Sequence, residues 1–386
     1  MNDTVILLIS VSTYLILAFY MYSLGMCAQN GVTLSIKKYR LFDPNVLLSI
    51  IVFALVCGLR YNVGADCESY ASYFEHFVET GSNVADYDEP VFTAFTLAVA
   101  KLSGSRVLYL SLIAFVELLF LYSAFKTRRF IYPFLGLVLV LGPHFLDFNN
   151  GLRQMIVACM FVYSLQQAVD NSRIFLYVCV ILFGITIHRS AVILLLAIPL
   201  VKYKGFVDYR IAISVLLMSI IISNIGIIDP LLSKADGILY LLNYDSYGDK
   251  IDYYLNMEAQ IGHYGPRRLV QIASYLLIIL NSEGMARFYA KDRFFKVSYL
   301  LFLVYAVFFE LLASKNLLFT RPLLYFSVFW LICSAYLLYY LYYKGKTLAF
   351  WSSFLACCSY SVLSTLAEYD QPSSSNVFRF LFMQQL

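Results

Sequence analysis

The feature that most constrains this chain is a succession of apolar stretches of membrane-spanning length, cut by single arginines and short basic loops. Val5–Tyr22 and Val46–Cys57 open the series. A helix needs about 20 residues to cross the hydrocarbon, fewer where neighbours or a thinned bilayer help. On that measure candidate spans lie at 4–24, 44–59, 107–125, 131–146, 151–169, 174–188, 190–203, 210–228, 267–281, 297–312, 321–343 and 347–366. Composition agrees: the 386 residues are 61% hydrophobic and 13% charged, with mean hydropathy +0.73. Soluble domains are nearer half apolar and a quarter charged. The sequence therefore predicts an all-α polytopic membrane protein of about 12 transmembrane helices.

Topology follows from the lysines and arginines of short loops, which mark the cytoplasmic side. Lys37-Lys38-Arg40, Lys126 to Arg129, Arg173, Lys202-Lys204-Arg210, Arg287 to Lys296 and Lys344-Lys346 all fall on one face if segment 90–102 does not cross. That segment is short and opens with Pro90, which suits a re-entrant or interfacial helix. The N-terminus lacks a basic n-region and a small-x-small cleavage site, and Leu24-Gly25-Met26-Cys27 is a poor lipobox. Val5–Tyr22 is thus expected to be retained. No repeat or linker divides the chain, so residues 1–386 are expected to form one integral membrane domain. Its eight cysteines show no CxxC spacing; only Cys67 is expected well clear of the membrane, and no disulfide framework is expected.

Two long outer loops follow from this topology. Residues 60–90, with a short apolar helix to 106, carry Asp66, Glu68, Glu75, Glu79, Asp86, Asp88 and Glu89 against Arg60. Residues 229–266 interleave carboxylates with tyrosines, Tyr244 and Tyr247 among them. Carboxylates that accept hydroxyl hydrogen bonds, beside aromatic faces that stack on C–H surfaces, suit a sugar-binding groove. The alternative is a solvated acidic loop anchored by interfacial tyrosines.

A second set of basic residues sits at the outer ends of spans: Arg60, Arg153, His188-Arg189, Arg267-Arg268 and Arg321. Any one of them suits an interfacial anchor. Several guanidinium groups at one membrane surface suit an anionic head group, phosphate above all, because its oxygens match the guanidinium fork. Asn149 and Asn150 offer amide donors, Gly151 permits a turn, and Arg153 falls in the first turn of the next helix, where backbone N–H groups favour an anion. His188 at another outer end is either a hydrogen-bonded structural residue or, beside those arginines, a candidate general base. Glu117, near the centre of 107–125, is either functional or buried against an Arg or Tyr. The four histidines show neither i, i+4 nor HExxH spacing, so no metal is expected. No basic run suggests nucleic acid, and no P-loop, GxSxG or dinucleotide fingerprint occurs.

These residues resemble a family. Gly58-Leu-Arg60-Tyr-Asn-Val-Gly64-Ala-Asp66 with Tyr70 looks like the RxxxGxDxxxY signature of EpsG-like and Wzy-type polysaccharide polymerases. Arg153-Gln154, His188-Arg-Ser-Ala191 and Arg321 with Tyr325 are similar to its later blocks, in the same order. Arg189 departs from the small or proline residue expected there, and Cys67 and Glu68 stand where the family varies. The resemblance implies a GT-C-like, metal-independent glycosyltransferase of the bacterial inner membrane, without cofactor, acting at the periplasmic face. It would move a growing glycan from undecaprenyl pyrophosphate to an incoming lipid-linked repeat unit, in some systems beside a chain-length regulator protein. Arg60, Arg153 and Arg321, with Arg267, Arg268 and Asn150 nearby, would hold the pyrophosphate. His188 would be the first-choice base, with Asp66 or Glu68 the second. Tyr70, Tyr244, Tyr247 and Tyr325 would face sugars. An O-antigen ligase would share these arginines and the histidine. A lipid-linked oligosaccharide flippase would instead need central charges, repeats and helices broken at the midplane.

Overall fold

In the computed structural model the described residues are 3–29, 43–64, 66–81, 89–227, 265–312, 320–371 and 374–385. Three of its helices connect two polar ends of a helical bundle: α5 (Arg106–Ser123), α8 (Leu152–Asn171) and α14 (Leu324–Tyr343). At 1.5 Å per residue the 20 residues of α8 reach about 30 Å, the thickness of the hydrocarbon. Its flank is almost wholly buried from Leu152 to Val169, against α5, α14 and α9 (Ile174–Ile185). The rest of the bundle comprises α1 (Asp3–Gln29), α2 (Pro44–Gly58), α6 (Tyr132–Leu141), α7 (His144–Asn150), α10 (Tyr209–Ile225), α11 (Pro266–Leu280), α12 (Ser282–Phe288), α13 (Arg293–Leu312), α15 (Thr347–Cys358) and α16 (Tyr360–Glu368). Among the described residues the only β-pairing is an isolated bridge between Arg60 and Phe380.

Among the described residues, four helices are long and apolar enough to cross a membrane alone, and up to seven spans result if each bent pair counts as one. The bent pairs are α6–α7, α11–α12 and α15–α16. A break exposes backbone carbonyls that hydrocarbon cannot satisfy, so each needs an internal donor. At the α6–α7 break, the Ser361 hydroxyl of α16 lies 2.9 Å from both Val140 O and Gly142 O. Two of the breaks therefore sit side by side. Segment 190–203, expected as an α-helical span, is instead a 3-10 helix, Arg189–Lys202, interrupted by Pro199. Its steeper rise carries 14 residues through about 28 Å, where an α-helix would cover about 21 Å.

The region expected as an outer loop holds α3 (Cys67–Thr80), and α4 (Pro90–Ser103) packs on it. The amphipathic α3 buries Cys67, Tyr70, Ala71, Phe74 and Phe77, and Phe74 stacks on Tyr109 of α5 at 4.5 Å. Cys67 is therefore buried, not free of the bundle as its flanks suggest. Arg106, which opens α5, pairs with Glu68 of α3 at 2.9 Å and approaches Glu75 at 3.4 Å. Both ends of α4 thus remain beside α3, and α4 does not run to the opposite polar end.

That opposite end is closed by Arg128. Its Nε and Nη2 donate to the two Asp292 oxygens at 2.8 Å each, and its Nη1 donates to Asp170 at 2.7 Å. Tyr336 adds a hydrogen bond to Asp292 at 2.9 Å. Arg293 donates to Val169 O at 3.1 Å and Val201 O at 2.9 Å, capping the last turns of α8 and of the 3-10 segment. A bidentate guanidinium–carboxylate pair fixes direction as well as distance, so this network sets how α5, α8, α13 and α14 meet.

At the first end, residues 59–64 are joined to the C-terminal segment by backbone bonds: Tyr61 N–H to Arg379 O at 2.8 Å, Gly64 N–H to Ser375 O at 2.9 Å, and Leu381 N–H to Leu59 O at 2.8 Å. Gly64 has φ +88, and a Cβ there would meet Asn149 O at 2.3 Å. Both facts demand glycine. The adjoining Asp66 N–H donates to Asn150 Oδ1 at 2.9 Å, fastening this turn to the end of α7.

Two variants test these joints. Gly64→Ala should lower the midpoint of thermal unfolding in detergent, with a loss of at least about 1–3 kcal/mol from the strained backbone alone. Arg128→Ala removes the cation from the half-buried Asp292 and the exposed Asp170, which keep other hydrogen bonds, and should destabilise by about 1–3 kcal/mol, read in the same assay; an unchanged midpoint would show the network to be dispensable.

Candidate active site

The polar cluster at the end of the bundle that carries Arg153 is assembled by Glu89. This residue occupies the N-cap position of α4, directly before Pro90, yet its side chain makes no capping hydrogen bond. Both of its oxygens are turned instead to other elements. Oε2 accepts from Arg153 Nη1, and Oε1 lies 2.7 Å from His188 Nδ1 and accepts the Arg189 backbone N–H at 3.3 Å. The register that allows this is fixed by Val91 N–H, which donates to Thr186 O at 3.2 Å and seats the first turn of α4 on the end of α9. His188 follows in extended conformation and opens the 3-10 segment.

Arg153 stands in the first turn of α8. Its Nε donates to Tyr70 OH at 3.1 Å, and its guanidinium lies over the rings of Tyr70 and Phe92 at 5.6 and 5.7 Å. Arg153 is thus held from α3, from α4 and from Glu89 together. Across the cluster, Tyr325 OH and Ser190 Oγ are 2.9 Å apart, and the Tyr325 ring is 6.4 Å from that of His188. The Gln154 amide donates to Arg321 O at 2.6 Å, which brings Arg321 beside the start of α8. No ion pair engages Arg321 among the described residues.

A carboxylate can only accept, so His188 Nδ1 donates to Glu89, and in the neutral imidazole Nε2 is then the acceptor. The side chain of Glu89 is 7% exposed and that of His188 22%, so the imidazole is reachable while its partner is not. Burial works to raise the Glu89 carboxyl, but the hydrogen bonds and charges of His188 and Arg153 outweigh it and hold the group below its usual range. The stability from this pairing is full above the ordinary glutamate value, about 4.3, and is lost as pH falls through the lower folded value.

The remaining expected residues lie as follows. Arg60 is fully buried: Nη1 donates to Cys57 O, Nε and Nη2 have no hydrogen-bond partner, and its charge acts on Glu117. Turned inward, it does not reach the cluster. Glu117 is equally buried and neither of its oxygens is hydrogen-bonded. Glu68 is taken by Arg106 and by the Asn62 N–H at 3.1 Å, away from His188. Asp66 sits at the start of α3 without capping it, close enough to act on Tyr70. Arg267 pairs with Glu368, which also accepts from Ser374 at 2.6 Å and Asn376 at 2.8 Å. Arg268 pairs with Glu310 at 2.6 Å over the Phe309 ring. Both arginines therefore have carboxylate partners of their own, other than Glu89. Tyr244 and Tyr247 lie outside the described residues. Among the described residues, no three His, Cys, Asp or Glu side chains are grouped to hold a metal.

Two members of the cluster were missed in the sequence, Glu89 and Ser190. Glu89 read as one acid among several in a loop. The signal was its place immediately before a helix-opening proline, where the side chain is fixed by the helix it does not cap.

Neither a curated protein nor a solved structure matches the chain. The sequence model of the EpsG family does, over residues 45–380. That range takes in Arg60, Glu89, Arg153, His188 and Arg321 together. A multi-helix membrane bundle with this match belongs to the EpsG family.

Proposed function

We propose that the chain is a polysaccharide polymerase that transfers a growing glycan from undecaprenyl pyrophosphate to a lipid-linked repeat unit, without a metal. Family membership supports a role in building polysaccharide in general. The observation that carries the specific reading is the His188–Glu89 pair beside Arg153, at one end of a membrane bundle. The arginine- and lysine-rich Arg128 end is the cytoplasmic one by charge bias, so the cluster faces the periplasm of a bacterial inner membrane. A GT-C-like arrangement of about twelve crossings belongs to the same proposal.

The chemistry runs as a single displacement. The acceptor hydroxyl oxygen of the incoming unit bonds to the anomeric carbon of the growing chain while its proton passes to His188 Nε2. The bond from that carbon to the pyrophosphate oxygen breaks, and its electron pair leaves with undecaprenyl pyrophosphate. Arg153 and Arg321 stand where that negative charge develops; donors so placed contribute several kcal/mol in a site that need not reorganise. Tyr70 and Tyr325, expected to face sugars, are buried; their hydroxyls instead hold Arg153 and Ser190. Partners are the two lipid-linked substrates, the bilayer and, in some systems, a chain-length regulator.

The decisive experiment mixes purified protein with lipid-linked repeat units and a chelator; polymer should form, and strict dependence on an added divalent metal would refute the reading. Arg153→Ala and Arg321→Ala should each lower turnover at least about a hundredfold with membrane insertion intact. Long glycan ladders in either variant would remove that residue from the mechanism. His188→Ala should cost about 10²–10⁴-fold, and near-normal chain length would transfer the base role to Asp66 or Glu68.

A further inference from the structure

Glu89 gives up the one local role its position offers. An acid at an N-cap ordinarily accepts from the first turn of its own helix, but Glu89 leaves α4 uncapped and divides its carboxylate between Arg153 and His188. The two partners want different things of it. A guanidinium seeks the anion with which it can make the best fork; an imidazole gains basicity from whatever negative charge stays on its Nδ1–H.

We propose that Glu89 is a positioning residue that couples capture of a phosphate at Arg153 to the strength of His188 as a base. A phosphate drawn to Arg153 competes with Glu89 for the guanidinium. As Arg153 turns its donors to the phosphate, the Glu89 carboxylate is left to His188 and the Arg189 backbone N–H. The sign is fixed: the loss of a neighbouring positive partner from the carboxylate, together with the arriving negative charge, favours the imidazolium. His188 Nε2 therefore becomes the stronger base when the leaving group is in place, and the weaker one otherwise. The geometry permits the exchange because Arg153 is held by Nε to Tyr70 and by its face to two rings, which lets Nη1 change partner without releasing the side chain. Among the described residues, the groups facing this pair are these. Tyr70 and Asp66 approach from α3, Arg153 from α8, Arg189 from the 3-10 segment and Tyr325 from α14. Among these, only Asp66 brings a second carboxylate, and its charge reaches Tyr70.

This inference rests on the phosphate-binding role of Arg153 proposed above, so its test uses a readout independent of polymer formation. The probe is inorganic pyrophosphate, added to the intact protein in detergent. Carbethoxylation of His188 is followed by mass spectrometry across pH, which reports the protonation midpoint of that imidazole. In the native chain pyrophosphate should raise the midpoint by about one unit, the scale of a nearby charge. Arg153→Ala should abolish the rise. Glu89→Gln, isosteric and uncharged, should lower the midpoint without pyrophosphate and leave less than half of the rise, while pyrophosphate binds it more tightly because Arg153 has lost a rival. Glu89→Asp should recover part of the rise. A full rise in Glu89→Gln, or none in the native chain, would overturn the coupling. In turnover, Glu89→Gln should reduce kcat with KM unchanged or lower; a rise in KM at constant kcat would count against it. If the native chain shows the rise yet makes no polymer, the polymerase reading fails and the coupling stands.

Discussion

Hydrocarbon offers no partner to a backbone N–H, a carbonyl or a charge, and the architecture is arranged around that constraint. Charged side chains concentrate in two belts, and between them the backbone is helical. Helix α8 joins the belts: Arg153 stands in its first turn, and Asp170 in its last, where Arg128 holds it to Asp292. Two of the three helix breaks, at Gly142 and Ser359, are placed together so that one hydroxyl serves the carbonyls freed by the other. Irregular backbone is then available near the Arg153 end with the Val140 and Gly142 carbonyls satisfied.

Much of this was legible in the residues, and for definite reasons. Apolar runs report burial in a bilayer directly, so α1, α5, α13 and α14 are found where hydropathy puts them. Arg153, His188 and Tyr325 could be singled out because each sits at a helix start and breaks an apolar pattern. What could not be read was partnership. Arg267 and Arg268 look like Arg153 in sequence, yet Glu368 and Glu310, far along the chain, pair with them. The hub Glu89 was hidden among loop acids for the same reason: its partners lie 64 and 99 residues away. The 3-10 winding of Arg189–Lys202 has no separate signature, since an apolar stretch of that length is written the same way for either helix.

Arg60 departs most from what its position suggests. At the end of an apolar helix it is free to turn out to water, but it turns into the bundle, toward Glu117. Each side chain so placed lowers the cost of charging the other, yet Glu117 oxygens and two Arg60 nitrogens make no hydrogen bond. Such a pair is a poor source of stability. Its clearer effect is geometric, because the guanidinium also holds Cys57 O at the last turn of α2. Gly58 belongs to the same joint: a Cβ there would meet Ser111 Oγ at 2.0 Å, so α2 and α5 touch backbone to side chain.

The backbone bonds between residues 59–64 and 375–381 have a consequence for biogenesis. The turn that carries Gly64 is made early by the ribosome, but it is completed by strand-like contacts from residues made more than 300 positions later. Closing so long a loop is slow and must follow the insertion of every intervening helix. This joint is therefore finished last. A chain stalled or truncated in the membrane would lack the bonds that tie the Gly64 turn to the C-terminal segment.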